Sequence, residues 1–220
     1  ISTLGNGLDG TTQNVSLCTE DLSKIEQLIF TNDNIVGIVD VTALDNLTDF
    51  NLNTNSITQF IIGPGVDIED LFFSDNNLTG VLDLSSRNYV GTTLNANNNP
   101  LLTDILFSLG PNSISSEFQV QNCDLTGTLD LTSFSSISNL RIQNNSNLTD
   151  ISLNFTGQGN SIFAQSCDLT GSLDLSSWDN NAGSFGLTLH SNPNLTDITM
   201  NPIGVSNDME IFNVHSCNIS

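Results

Sequence analysis

Few side chains in this sequence could catalyse a reaction or bind a metal. The two histidines, His190 and His215, would need a third or fourth ligand to form a zinc site, and no neighbouring motif supplies one. The sequence contains no Gly-rich phosphate loop, no paired catalytic carboxylates and no H-E-x-x-H string. We therefore predict a protein that is not an enzyme and that needs no cofactor and no metal.

The charge of the chain excludes two classes of partner. The 220 residues include 24 acidic side chains and three basic ones, which gives a formal net charge of −21. Phosphate backbones and anionic membranes are bound by clustered cations, so no nucleic acid partner is expected. No apolar run approaches the about 20 residues of a membrane-spanning helix, so membrane insertion is not expected either.

Internal repeats organise the chain. The string L-T-G begins at Leu78, Leu125 and Leu169, and it alternates with the string L-T-D-I, which begins at Leu102, Leu148 and Leu195. Two kinds of rung therefore alternate. Alignment on the pattern L-x-L-x-x-N/C, with other apolar residues allowed at both Leu positions and Asp33 at the end of the first match, predicts nine strands that start at Leu28, Phe50, Leu71, Leu94, Phe118, Leu140, Ile162, Leu187 and Phe212.

These spacings and strings resemble the leucine-rich-repeat family, whose repeats of about 20–29 residues follow L-x-x-L-x-L-x-x-N/C-x-L. The L-T-G-x-L segments are similar to the extracellular plant-type repeat, but Asp-Leu stands where that type has proline. The resemblance covers roughly residues 22–220. It implies an all-β solenoid: a right-handed superhelix of about nine rungs, with a parallel sheet on its concave face and short second strands. We assign residues 1–27 to an N-terminal cap and residues 28–220 to one continuous solenoid domain.

The residue at the end of each L-x-L-x-x-N/C match forms a column, which we call the ladder column. In the family that this sequence resembles, this side chain points inward and bonds to the backbone of the turn that leaves the strand. Asn has donors and an acceptor for that task, and Cys has a weaker S–H donor. The column consists of Asp33, Asn55, Asn76, Asn99, Cys123, Asn145, Cys167, Asn192 and Cys217.

The cysteine spacing predicts free thiols. Cys123, Cys167 and Cys217 fall in every second rung, so their Cα atoms should be about 10 Å apart. A disulfide needs Cα atoms within about 7 Å, and these three cysteines are therefore predicted to be buried thiols. Cys18 precedes the first rung and has no evident partner in the sequence.

A second period-two segment follows each strand and predicts a short second strand in every rung. Its outward residues alternate between acidic and neutral types, which indicates a solvated acidic flank. These outward residues are Asp40, Ile61, Asp83, Leu106, Asp130, Ser152, Asp174 and Thr199.

N-x-S/T sequons are frequent and predict glycosylation if the protein is secreted. Asn147 and Asn194 are the best candidates, because both should leave their strands on the exposed side. The sequons begin at Asn14, Asn46, Asn77, Asn144, Asn147, Asn154, Asn194 and Asn218.

The outward face of the predicted sheet is rich in neutral amides, although the protein as a whole is strongly acidic. Stacked amides that bond to one another explain much of this pattern, and recognition of a neutral polar partner is the competing explanation. Two phenylalanines supply apolar anchors for such a partner. The candidate binding residues are Phe72, Asn95, Asn97, Gln119, Gln121, Arg141, Gln143, Phe163, Gln165, His190 and His215.

These observations predict an extracellular or cell-surface structural or adhesion protein. The uncapped repeat at residues 212–219 indicates either a fragment of a longer repeat array or head-to-tail self-association into a filament. The alternative is a ligand-recognition ectodomain that binds another protein or a glycan. Ice binding ranks third, because the face lacks a regular threonine array.

Overall fold

The computed structural model describes residues 24–155, 159–177, 185–200 and 209–219, and all the structural statements below concern these residues. They form β-strands and no α-helix. One nine-stranded parallel sheet, the main sheet, runs the length of the described chain. Its strands are β1 (Gln27–Ile29), β3 (Asp49–Asn51), β5 (Ile68–Phe72), β7 (Tyr89–Asn95), β9 (Asn112–Gln119), β11 (Phe134–Arg141), β13 (Ser161–Phe163), β15 (Phe185–Thr188) and β17 (Met209–Asn213).

The remaining strands lie between consecutive main-sheet strands in the chain and form the second-strand side. They are β2 (Val36–Asp40), β4 (Ser56–Ile61), β6 (Thr79–Asp83), β8 (Leu101–Leu106), β10 (Thr126–Leu131), β12 (Asn147–Leu153), β14 (Gly171–Leu175) and β16 (Leu195–Met200). They pair only in twos, as β2–β4, β6–β8, β10–β12 and β14–β16. The second-strand side is therefore a series of two-rung units and not a continuous sheet.

The strand register agrees with the sequence prediction at every rung. Leu28 pairs with Phe50, Phe50 with Leu71, and the series continues in step to the pair Leu187 and Phe212. The predicted all-β solenoid with a parallel sheet and short second strands is confirmed. Nine main-sheet strands bound eight turns of chain, so the number of complete turns is slightly below the predicted nine rungs.

The core lies between the main sheet and the second strands. Leucine, isoleucine and phenylalanine side chains from both sides fill it, and most of them are fully buried. Two aromatic groups interrupt the aliphatic packing: Phe50, Phe60 and Phe73 near β3, and Phe107, Phe118 and Phe134 near β9. Because each rung packs mainly on its neighbours, the core is continuous along the stack.

The asparagines of the ladder column connect two successive rungs. Asn145 is typical: its Oδ1 accepts the N–H of Leu125 in the preceding rung at 3.1 Å. Its Nδ2 donates to the carbonyl oxygen of Val120 at 3.0 Å and to that of Ile142 at 2.7 Å. The same two-rung arrangement is found at Asn55, Asn76, Asn99 and Asn192. Asp33, the first member, is half-buried and donates its backbone N–H to Asn55.

The length of the preceding turn decides whether a ladder residue is Asn or Cys. Each turn is followed by an apolar residue that enters the core. In one kind of turn this apolar residue comes two positions after the ladder residue, and its backbone N–H donates to the Asn Oδ1 of the ladder column in the next rung. This is the case for Ile35, Ile57, Leu78, Leu125 and Leu169. In the other kind the turn is one residue longer. There the N–H of Leu102, Leu148 or Leu195 bonds to the ladder residue of its own rung, and the next ladder residue is Cys.

The reason for this rule is the supply of hydrogen-bond acceptors. A longer turn satisfies its own amide, so the next rung needs only a donor at the ladder position, and a thiol is sufficient. The Sγ atoms of Cys123 and Cys167 donate to the carbonyl oxygens of Ala96 and Ile142, both at 3.4 Å. The alternation of Asn and Cys thus follows from the alternation of the two turns.

The variant Asn145→Cys tests this rule by placing the donor-only residue after a short turn. The buried N–H of Leu125 would lose its acceptor, so we expect the free energy of unfolding to fall by about 1–3 kcal/mol in chemical denaturation. The variant Cys167→Ala, which removes only a weak donor bond, should lose less. Equal stability of Asn145→Cys and the wild type would contradict the rule.

A bulge in every two-rung unit explains the recurring strings L-T-G and L-T-D. The register shifts by one residue after Gly37, Gly80, Gly127 and Gly171. All four glycines have positive φ angles between 66° and 88°, a conformation that costs an L-residue about 1–2 kcal/mol. The extra residue on the partner strand is a threonine, and the hydroxyls of Thr149 and Thr196 donate to the bulge glycines of their partner strands at 3.0 Å.

Candidate binding face of the main sheet

The main sheet presents three outward columns. Two of them contain the candidate binding residues: one runs through Phe72, Asn95, Gln119, Arg141 and Phe163, and the other through Asn97, Gln121, Gln143, Gln165, His190 and His215. The structure adds a column one pleat earlier, which sequence reasoning missed. Register alignment places Gln27, Asp49, Asp70, Thr93, Glu117, Asn139 and Ser161 in it. The face therefore has an acidic margin and is not free of charge.

A further column forms the turn that leaves the sheet. All nine of its members have left-handed φ angles between 55° and 62°, and we call them the turn column: Asn32, Thr54, Asp75, Asn98, Asn122, Asn144, Ser166, Ser191 and Ser216. Asn and Asp tolerate this conformation better than most residues do. The Nδ2 atoms of Asn98, Asn122 and Asn144 each donate to the preceding member at 2.7 Å. The turn column is therefore a structural ladder.

The neighbouring outward column behaves differently. Its four central members, Asn97, Gln121, Gln143 and Gln165, occupy successive rungs, and we call them the amide column. The side-chain oxygens of all four are buried and have no hydrogen-bond partner among the described residues. A buried acceptor without a donor costs about 1–3 kcal/mol. Mutual hydrogen bonding of stacked amides thus accounts for the turn column but leaves these four oxygens unexplained.

A charged and aromatic cluster lies beside the amide column. The Nε of Arg141 forms an ion pair with the Oε2 of Glu117 at 2.7 Å, and its guanidinium lies 4.6 Å above the ring centre of Phe163. The Nε2 of Gln119 donates to the same Glu117 oxygen at 3.4 Å. The two predicted binding residues Arg141 and Phe163 are therefore in contact, and Glu117 holds the arginine in place.

His190 and His215 continue the amide column towards the C-terminus, and their rings stack on each other. Their ring centres are 4.6 Å apart and their planes differ by 16°. The Nδ1 of His190 lies 3.1 Å from the Ser191 hydroxyl, and the Nδ1 of His215 lies 2.7 Å from the Oδ1 of Asn213. No group of three or more potential metal ligands occurs in the described part of the chain.

The aspartates of the second-strand side shape turns. Asp40, Asp83, Asp130 and Asp174 each accept the backbone N–H of the residue two positions later at 2.8–3.0 Å. Hydrogen bonds from Thr42, its backbone amide first, hold the pKa of Asp40 below its ordinary value, and hydrogen bonds from Ser176, its hydroxyl first, lower the pKa of Asp174. These bonds favour the fold while the carboxyls are ionised, and this contribution is lost as the pH falls through the lowered pKa values. The predicted acidic flank is thus also a set of turn caps.

The cysteine prediction holds with one correction. Cys123 and Cys167 are free and buried, as expected, whereas Cys217 is free but only half-buried. Burial raises the pKa of the Cys123 and Cys167 thiols to about 11, so both are neutral S–H donors at ordinary pH. Cys18 lies outside the described residues.

The sequon asparagines differ in their surroundings. The two best candidates, Asn147 and Asn194, are exposed, but their Nδ2 atoms donate to Asp124 and Asp168 of the preceding rung at 2.7 and 2.9 Å. Asn144 belongs to the hydrogen-bonded turn column. Asn77, Asn154 and Asn218 are exposed, Asn46 is half-buried and Asn14 lies outside the described residues. Attachment of a glycan at Asn147 or Asn194 would replace one of the two Nδ2–H donors, so only the other would remain for the inter-rung hydrogen bond.

Comparison with known proteins adds no assignment to this geometry. The chain matches no family model, no curated protein and no solved structure among those compared. Within the described residues, no helix has the length and apolar character needed to cross a membrane. The main sheet face, with its unsatisfied amide column and its Glu117–Arg141–Phe163 cluster, is the candidate functional site.

Proposed function

We propose that this chain is a non-enzymatic, extracellular adhesion protein of the leucine-rich-repeat type that binds a neutral, hydroxyl-rich glycan on the face of its main sheet. The observation that carries the proposal is the amide column, in which four buried acceptors on successive rungs have no donor among the described residues. The asparagine ladder and the strand register support the family assignment. Head-to-tail self-assembly stays a prediction from the sequence.

The amide column fits a glycan because of what each partner offers. Successive rungs are about 4.8 Å apart, so the four side chains form a regular row of carboxamides along the sheet. A carboxamide has one oxygen acceptor and two N–H donors, and a sugar hydroxyl can both donate and accept. Rotation of a side-chain amide towards a bound hydroxyl would give each orphaned oxygen a donor. Binding would then relieve a cost that the free protein bears.

The adjacent cluster supplies an apolar contact and rigidity. Phe163 is half-buried on the sheet face, and the guanidinium of Arg141 covers its ring at 4.6 Å. Glu117 fixes that guanidinium, so little side-chain entropy remains to be lost when a ligand packs against it. A neutral ligand is favoured, because an anionic one would meet a protein of net charge −21.

Binding to immobilised neutral glycans tests the proposal. The panel should contain β-glucan, chitin and mannan oligosaccharides, with sulfated glycans as the charged comparison. We expect at least one neutral glycan to bind and the variant Gln121→Leu/Gln143→Leu/Gln165→Leu to lose that binding. The variant Thr128→Ser/Ser152→Thr on the second-strand side is the matched control and should bind like the wild type. Unchanged binding by the triple variant, or binding only to a protein partner, would contradict the glycan proposal.

A further inference from the structure

Among the described residues of the second strands, strongly exposed aliphatic side chains occur only in the N-terminal half of the solenoid. We call five of them, all on β2, β6 and β8, the aliphatic patch. Their exposed fractions are 55% for Val36, 61% for Ile38, 49% for Val81, 55% for Leu101 and 44% for Leu106. β4 lies between β2 and β6 and contributes no residue to the patch: it pairs with β2, and the carbonyl of its Thr58 accepts the Thr79 hydroxyl of β6 at 3.2 Å. The patch therefore has its main part on the paired strands β6 and β8, and Gln59 of β4, the partner of Ile38, separates this part from the residues of β2.

The repeat itself provides the comparison that makes this patch unusual. At the positions of Ile38 and Val81, the later units have Thr128 and Ser172, and at the position of Leu106 they have Ser152 and Thr199. At the position of Leu101 the next unit has Asn147. The fold therefore accepts polar residues at these four sites. Solvent-exposed aliphatic residues are not required there by the architecture, and clustered ones, such as Val81, Leu101 and Leu106 on the paired strands β6 and β8, mark interaction surfaces.

Aspartates are interleaved with the patch. Val81 pairs across the strands with Asp104, and Leu106 pairs with Asp83. The charge of Asp130 acts on Asp104, which places a third carboxylate beside them. Hydrogen bonds from Ser85 fix the Asp83 carboxylate. The surface thus alternates aliphatic and anionic groups at the spacing of neighbouring strands.

The charge pattern identifies the chemistry of the partner. A partner that covers the aliphatic side chains must bring cations to the aspartates, since buried or half-buried carboxylates without them lose solvation. A second copy of this chain has only three cations, of which Arg87 is buried and Arg141 is bound to Glu117. We propose that the aliphatic patch is a docking surface for a basic amphipathic segment of a partner protein, whose apolar residues cover the patch and whose Lys or Arg residues face Asp83, Asp104 and Asp130.

Fluorescence anisotropy with three labelled synthetic peptides tests this proposal. One peptide alternates Lys and Leu, a second alternates Lys and Ser, and a third alternates Glu and Leu. We expect only the Lys–Leu peptide to bind well. Its binding should weaken with added salt, because salt screens the attraction between the peptide's lysines and the solvent-accessible aspartates beside the patch. The variant Ile38→Thr/Val81→Thr/Leu106→Ser, built from residues that later rungs use, should bind at least tenfold more weakly.

The matched control carries Thr128→Ser, Ser152→Thr and Ser172→Thr at the equivalent positions of the polar half, and it should bind like the wild type. Equally tight binding of the Lys–Ser peptide would reduce the effect to general attraction by an acidic protein and overturn the proposal. Unchanged binding of the Lys–Leu peptide by the patch variant would also overturn the proposal. Two further results would do the same: binding of the wild type to neutral phosphatidylcholine vesicles through the patch, or a dimer that the wild type forms and the patch variant does not. The glycan experiment concerns the opposite face, so the two proposals can fail separately.

Discussion

Replacement of Gly91 by alanine should destabilise the solenoid by about 3 kcal/mol or more. Gly91 is buried in β7, which runs parallel to β5, and an added Cβ would overlap the carbonyl oxygen of Glu69 in β5. β7 bulges here, because Ile68 pairs with Tyr89 whereas Asp70 pairs with Thr93. The obstacle is backbone and not a movable side chain, so relief requires the two strands to separate.

The measurement is the free energy of unfolding from chemical denaturation, with Gly127→Ala as the control. Gly127 has a φ of +68° and open space around its Cβ position, so its replacement should cost only the about 1–2 kcal/mol of a left-handed L-residue. If Gly91→Ala is at least as stable as Gly127→Ala, the claim that the backbones of β5 and β7 lie in close contact at Gly91 is wrong.

Replacement of Arg87 by leucine should lower the free energy of unfolding by about 3–5 kcal/mol. Arg87 is almost completely buried in the turn after β6. Its guanidinium donates to the carbonyl oxygens of Gly63 at 2.8 Å, Leu47 at 2.7 Å and Leu44 at 2.9 Å. Leu44 and Leu47 lie in the turn after β2 and Gly63 lies in the turn after β4, so one side chain joins the turns of three successive rungs. Leucine would leave the carbonyls without a donor.

The matched control is Arg141→Leu, which removes the other arginine. Arg141 is half-exposed on the sheet face, and surface ion pairs contribute about 0–1 kcal/mol. Arg87→Lys should fall between the two variants, because an ammonium retains the charge but cannot match the planar fork of a guanidinium. Thermal and chemical unfolding should rank the three variants in this order, and equal losses for Arg87→Leu and Arg141→Leu would show that the buried contacts do not stabilise the fold.

The repetitive features of this fold could be predicted from the sequence, because each occurs many times. The strand register follows from nine matches to one pattern. A single string that is out of phase with the strands, such as Leu47-Thr48-Asp49, does not change this alignment. The inward-facing ladder column and the free thiols follow from the same spacing. Repetition also made the two-rung unit predictable. The pairing of the second strands in twos is seen only in the backbone hydrogen bonds of the structure.

Features that occur once, or that have two physical explanations, could not be predicted. Arg87 stands in one rung only, and nothing in its neighbourhood marks a buried cation. The Asn and Ser residues of the turn column suit an exposed strand and a left-handed turn equally well, so composition could not distinguish the two. The Glu117–Arg141 pair is the exception, since extending the register by one pleat towards the N-terminus would have placed these two charges on adjacent strands.

The stability of the variant Gln121→Leu/Gln143→Leu/Gln165→Leu tests most directly whether the amide column serves a ligand and not the fold. Leucine has a similar volume and removes three buried oxygens that have no donor in the described structure. We predict a free energy of unfolding equal to that of the wild type or higher by up to about 1 kcal/mol per site in denaturant titration. A loss of more than about 1 kcal/mol per site would show that these amides bond to one another, and would contradict the account of the binding face.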